Sequence, residues 1–344
     1  MRRLIVWVTV GLLLSGCGVD RNSAILMAAG SYGDLAVVVS DPELAPIAER
    51  FLAGFVQTRT FVIKEEPDFN ADVYEPDKWE LAKGYKNILF ITRLGDGGPV
   101  EKAVRSKVSA EAQKRFDSGS GGIVQVNDPW STYQLAVVVA SPDRNSLGSI
   151  LHNNTDRLRE IFNLSARDRI LRHNRYTGLQ TDLMNDYWQR FGFMLEIPVE
   201  FKQNQLLPDG FQGVELMRQA PSRGITVTWQ AAKDPAALLG DLDALAAMRA
   251  EMGEKMHDEE ILPESFVWRE TELAGRPVAK LEGAWNSHRF DGGGPFWCYF
   301  IPDPEHGRIF CLDLLAYAPG LDKMDYFRQL EAIATTFSLT QPRP

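Results

Sequence analysis

This 344-residue chain is short of long apolar runs: after Leu14 none reaches even a dozen residues, so no later segment is suited to span a bilayer as a helix. Basic residues are also scarce. Lys and Arg number 37 against 46 Asp and Glu, for a formal charge of -9. Nucleic-acid binding releases counterions through clustered cations. Here the densest basic stretch, Arg167 to Arg175, is a helix face interrupted by Asp168, which excludes that class of partner. The five histidines, His152, His173, His257, His288 and His306, form no His-x-x-x-His pair, and no Gly-x-Ser-x-Gly elbow occurs. The glycine loop Gly95-Asp96-Gly97-Gly98-Pro99 is not followed by Gly-Lys-Ser/Thr, and Pro99 removes a donor, so it reads as an ordinary turn and not a phosphate cradle. His257-Asp258-Glu259-Glu260 reads as a solvated acidic turn. No cofactor and no metal site is expected.

Cysteine is rare too, at three residues, and the first has a context of its own. Arg2 and Arg3 precede an apolar run from Leu4 to Leu14, the length of a signal-peptide core and too short for a stable anchor. Ser15-Gly16 then stand directly before Cys17, and Leu14-Ser15-Gly16-Cys17 resembles the lipobox that bacteria acylate at the thiol and cleave just upstream. Residues 1–16 are thus expected to be a lipoprotein signal peptide, 17–30 a lipidated tether, and Cys17 the lipidated residue. Multiple acyl chains hold a protein to a membrane without crossing it. Gly18, where Asp would resemble an inner-membrane retention signal, favours the outer membrane, with the body facing the periplasm and surface exposure as the alternative. Loss of Arg2 and Arg3 makes that body more acidic still.

The other two cysteines fall in a hairpin, with apolar runs at Phe296 to Ile301 and Arg308 to Leu315 around the turn Pro302 to Gly307. A four-residue loop flanked by Pro302 and Gly307 would place Cys298 directly opposite Cys311, within disulfide reach. The alternative is two small buried thiols. Both alternating faces of this hairpin are apolar, so both should be covered.

Apolar periodicity divides the chain into an α/β unit at 31–144, a helical connector at 145–191 and a second unit at 192–340. In the first unit, Leu35 to Val39, Phe61 to Ile63, Asn87 to Arg93, Ile123 to Asn127 and Tyr133 to Ala140 read as strands. Asp41-Pro42 starts a helix, Ser109 another, and Asp143 caps a third. Lys64 to Glu80, acidic and carrying Pro67 and Pro76, reads as a loop with one short helix near Trp79. In the second unit the strands are Phe193 to Pro198, Phe211 to Arg218, Ile225 to Gln230, Ser265 to Glu272, Val278 to Trp285 and the hairpin. Helices start at Asp234-Pro235 and near Leu321. The fold class is α+β, two α/β units with the second an antiparallel sheet flanked by helices.

Asp291-Gly292-Gly293-Gly294-Pro295-Phe296, continued by Arg308, Tyr317-Ala318-Pro319 and Arg328 to Ile333, resembles the bacterial lipoproteins grouped as domain of unknown function 4837. Gly30-Ser31-Tyr32-Gly33, Lys86-Asn87-Ile88-Leu89 and Phe191-Gly192-Phe193 before Ile197-Pro198 look like the same family, so the likeness extends over nearly the whole chain beyond the signal. It implies an envelope lipoprotein and supplies no catalytic residues. The layout of the second half is similar to PsbP-like domains, used mostly as binding or assembly modules.

Candidate site residues follow from exposure and chemistry. Trp79 and Trp130, flanked by Asp and Pro in loops, are candidate contact residues, whereas Trp229, Trp268, Trp285 and Trp297 fit core patterns. His288 and Asp291, three apart beside the glycine run, are the best acid/base candidate, although a surface hydrogen bond explains the spacing equally well. The expected function is a non-catalytic binding or assembly module whose partner is an envelope protein or glycan. A surface binder of glycan or small ligand is the alternative, and a hydrolase the third reading.

Overall fold

The computed structural model describes residues 27–61, 64–204 and 212–340, so the signal segment and Cys17 lie outside the described residues. The first sheet is built on β1 (Asp34–Val39), a wholly apolar run after its first residue, as a strand covered on both faces must be. Asp41 caps the turn that follows by accepting the Glu43 N–H at 3.0 Å, and Pro42 leads into α1 (Ala45–Phe55), which buries Ala48, Phe51 and Phe55.

The acidic stretch expected to be a loop is instead largely strand. β2 (Thr58–Phe61) and β3 (Lys64–Pro67) form a two-stranded ribbon, and β4 (Asn70–Tyr74) pairs in parallel with β1. Both β3 and β4 are mostly exposed, so their sequences lack the apolar alternation that signals a strand. β5 (Asn87–Arg93) has the expected bounds.

The glycine loop after β5 leads into α2 (Pro99–Arg105), a helix the turn reading left out. Its buried Glu101 accepts the N–H groups of Gly95 and Gly97 at 2.9 and 2.8 Å. Burial alone would raise the Glu101 pKa, but these donors and Arg105 outweigh it and hold the carboxyl below its ordinary value. The anion that the loop cradles is a side chain of its own chain.

α3 (Ala110–Asp117), β6 (Gly122–Asn127) and β7 (Leu135–Ser141) complete a sheet of order β4-β1-β5-β7-β6, parallel except for β6. α2 and α3 cover one face through Val100, Val104, Ala112 and Phe116. The other face packs on α1, on α4 (Arg144–Asn153) and on the start of the 23-residue α5 (Thr155–Thr177), through Leu147, Leu151, Leu158 and Phe162. Arg159 and Arg169 of α5 tie it to this unit, reaching Phe55 O at 2.7 Å and Lys86 O at 3.0 Å.

α6 (Thr181–Phe191) ends at Gly192, whose φ of 73° suits a residue without Cβ. The apolar run Phe193 to Pro198, expected to be a strand, is buried but forms no ladder. Met194 and Ser338 exchange two backbone hydrogen bonds, and Gln180 secures the Ile197 and Pro198 carbonyls at 2.8 and 2.9 Å. Apolar density marked burial, not pairing.

The second sheet contains β8 (Lys202–Gln203), β9 (Gly213–Arg218), β10 (Ser222–Ala231), β11 (Glu259–Ile261), β12 (Val267–Leu273), β13 (Arg276–Ser287), β14 (Gly293–Asp303) and β15 (Arg308–Tyr317). Its order is β11-β13-β14-β15-β10-β9-β8, with β12 also paired to β13, and every pairing is antiparallel. α7 (Leu242–His257) covers one face through Leu245 and Met252 against Leu281, Phe296, Cys298 and Phe300. α8 (Met324–Ala334) and α6 cover the other, through Phe327, Leu330 and Tyr187 against Trp297, Tyr299, Phe310 and Leu312. The chain is an α+β protein with sheets flanked by helices. Among the described residues no helix is long and apolar enough to cross a membrane.

The hairpin register differs from expectation by one residue at each end. Asp303 pairs with Arg308, leaving the loop Pro304 to Gly307, so Cys298 faces Asp313 and Cys311 faces Phe300. The two thiols are diagonal neighbours on the α7 face, with Sγ atoms 2.9 Å apart, unbonded and wholly buried.

Candidate binding cleft

Between the two units, a cleft of about 390 Å3 opens over the end of the second sheet that α8 leaves uncovered. Strand alternation sets its floor. Lys280 on β13 stands opposite Tyr299 on β14 and Arg269 on β12, while Glu282 stands opposite Trp297, so these side chains share one face. Trp297 and Tyr299 are each 3% exposed and the Trp297 ring packs 4.6 Å from that of Phe327. The walls come from α8, with Arg328 and Glu331, from Thr335 just after it, from α5, with Asn163 and Arg167, and from Asp68 between β3 and β4.

Lys280 is the centre of this arrangement, 6% exposed and still charged-group paired. Its Nζ lies 3.0 Å from Glu331 Oε1, 3.2 Å from Glu282 Oε1 and 3.7 Å from the centroid of the Trp297 ring. Two carboxylates and an aromatic face repay the desolvation of one ammonium. Tyr299 donates its hydroxyl to Glu331 at 2.5 Å, and Arg269 Nε approaches Glu282 at 3.2 Å. Arg328 donates to the Asp68 carbonyl and so closes the seam between the units. Arg167 stands exposed at the rim, with no ion pair among the described residues. The cleft offers a mixed set of donors and acceptors over an aromatic floor, suited to a polar group entering from solvent.

A second concentration of charge lies on the other face, beneath α7. Arg249 is fully buried, with Nε 2.8 Å from Asp313 Oδ1 and Nη2 2.9 Å from Glu259 Oε1. His257 Nδ1 is 3.5 Å from Glu215 Oε1. The segment read as a solvated acidic turn therefore has two of its four residues turned inward. One guanidinium cannot keep both of its carboxyls ionised without water, and burial pushes the Glu259 pKa from 4.5 up to about 7. A carboxyl that binds its proton more tightly when folded adds stability below its unfolded pKa and loses it as pH rises through the folded one. The denaturation midpoint of the wild-type chain relative to that of Glu259→Gln should thus fall as pH rises from about 5 to about 8. Burial holds His257 at about 4, an opposing effect that acts as pH drops from 6.5 and is untouched by this variant.

The residues singled out in the sequence lie elsewhere. Trp79 and Trp130 are half-buried and meet edge to face at 5.7 Å and 62°, with Trp130 also 5.6 Å from Phe90. They form no coplanar platform. His288 and Asp291 are both exposed on the β13–β14 loop, and no hydrogen bond or ion pair joins them among the described residues. The His288 N–H instead donates to Asp258 O at 2.9 Å. Among the described residues, no three His, Cys, Asp or Glu side chains are grouped as a metal site. One sequence signal did mark the cleft: Lys280 interrupts an apolar strand at an inward-facing position.

Comparison with known proteins adds the following. No curated protein matches the chain. Cyanobacterial PsbP (CyanoP) from Synechocystis sp. PCC 6803 aligns at 13% identity over 43% of this chain and 86% of its own, with a TM-score of 0.32. LpqN, involved in cell envelope biogenesis of Mycobacterium tuberculosis, aligns at 16% identity over 42% of this chain and 82% of its own, with a TM-score of 0.28. Those scores are too low for either to bear on what this chain does. The resemblance read from the sequence is confirmed over a narrower span than expected, from α7 to the end of α8: residues 241–336 match the family described as Domain of unknown function (DUF4837).

Proposed function

We propose that this chain is an outer-membrane lipoprotein, tethered through acyl chains on Cys17, whose non-catalytic body binds another envelope component at the cleft. The observation that carries the binding reading is the Lys280 cluster, where charged groups from β12, β13 and α8 are held over two buried rings at a seam open to solvent. The tether rests on Leu14 to Cys17.

A photo-cross-linking residue at Arg167, on the rim, should capture a partner in intact cells, while the same probe at Glu254 on exposed α7 surface should not. Arg269→Glu, which inverts charge at a part-exposed position, should abolish the adduct. Equal adducts at both positions would remove the cleft from the function. Protease shaving of cells carrying a C-terminal epitope, with Cys17→Ala as control, should leave the epitope protected until permeabilisation. The cleft volume also favours a second reading, a small polar ligand, which a thermal shift with soluble envelope sugars or peptides would reveal.

A further inference from the structure

Trp79 and Trp130 lie where the N-terminal tether meets the body. Ala28 N donates to Thr132 O at 3.0 Å and Ala29 N to Gly84 O at 2.8 Å, which stitches the incoming chain between the helical turn Trp79–Gly84 and the loop carrying Trp130. Ser131 Oγ and Gln134 Nε2 both reach the Lys83 carbonyl, at 3.1 and 2.9 Å, and lock that loop to the same turn. We propose that this patch is a membrane-contact surface that seats the body on the bilayer holding its lipid. The inference rests on the reading of Cys17 as the anchor.

The length of chain outside the structure limits where the patch can be. Nine residues separate Cys17 from Met27, and the ten steps between them span at most about 35 Å when fully extended. The patch is therefore where the tether enters the body, within that reach of the anchor.

Its chemistry fits an interface between water and acyl chains. Indole rings with ammonium groups above them belong at the headgroup level, where one end is apolar and the other wet. Lys83 Nζ lies 4.4 Å from the Trp79 ring centroid and Lys107 Nζ 5.8 Å from that of Trp130. Met27 and Leu81 present apolar side chains at 68% and 64% exposure. Charge favours the same orientation. A body this acidic is repelled by anionic lipid over most of its surface, but here Glu80 is paired with Lys83 at 2.8 Å. Lys78 and Lys107 are exposed, with no ion pair among the described residues.

The test uses the mature, lipidated protein in vesicles of phosphatidylethanolamine and phosphatidylglycerol with brominated acyl chains. Flotation and the mass of the N-terminal peptide read the anchor, and tryptophan quenching reads the patch. The expected result is flotation with quenching that mostly disappears in Trp79→Phe/Trp130→Phe and persists in Trp229→Phe. Leu81→Glu, at an exposed position that the core does not need, should also lower the quenching. Flotation without quenching that depends on these positions would overturn the proposal and leave the anchor standing. Failure to float with an unmodified N-terminal peptide would bring down the anchor reading, and the proposal with it.

Discussion

Arg249→Met should lower the unfolding free energy by about 3 to 5 kcal/mol, the usual cost of removing one partner from a closed ion network. The arginine has no exposed surface, spans α7 to β15 and β11 through Asp313 and Glu259, and lays its guanidinium 4.4 Å from the centroid of the Phe296 ring. Methionine fills much of the same space but leaves two buried carboxyls with no cation. Equilibrium denaturation measures the loss. Arg249→Met/Glu259→Gln/Asp313→Asn removes charge from all three positions and should recover a good part of it, because the penalty lies in the uncompensated carboxylates. A single variant costing under about 1 kcal/mol would mean that water reaches the cluster.

Gly293→Ala should damage the second unit to a similar degree, by at least about 2 to 3 kcal/mol, because the clash is with backbone and cannot be relieved by a rotamer change. A Cβ at 293 would run into the Trp285 carbonyl, and one at 294 would stand 2.6 Å from the Ala316 carbonyl and 3.2 Å from the Trp285 ring. The two glycines at the start of β14 thus let that strand enter between β13 and β15 at close range. Gly54→Ala is the informative control. It lies in α1 with open space around its missing Cβ, so the same substitution should stabilise by about 0.5 to 1 kcal/mol. Denaturation midpoints moving in opposite directions would confirm that position, and not the loss of glycine itself, sets the outcome.

Much of the fold was legible because burial writes a period into sequence. Asn87–Arg93 was bounded correctly, Asp143 does cap α4 by accepting Ser146 N at 2.7 Å, and the two faces of the β14–β15 hairpin divide as their alternation implied. Errors arose where pairing and burial part company. β4 is an edge strand with little to bury, and Phe193 to Pro198 is buried with no ladder to join. The hairpin slipped because a four-residue loop fits the turn in two frames, and only the surrounding packing selects between them. The cleft was the least legible part. Asp68, Arg167, Lys280, Tyr299 and Glu331 come from five separate stretches, so no local spacing announces them.

That dispersal bears on the order in which the molecule can be made. The first sheet draws all its described strands from residues before 142, so it can assemble while later segments are still emerging. The second unit must wait, since Met194 near its start is fastened to Ser338 near the end of the chain. Arg328 and Glu331 arrive with that same last stretch. The cleft is therefore completed last, and a chain cut short before α8 would present its first unit intact with no cleft beside it.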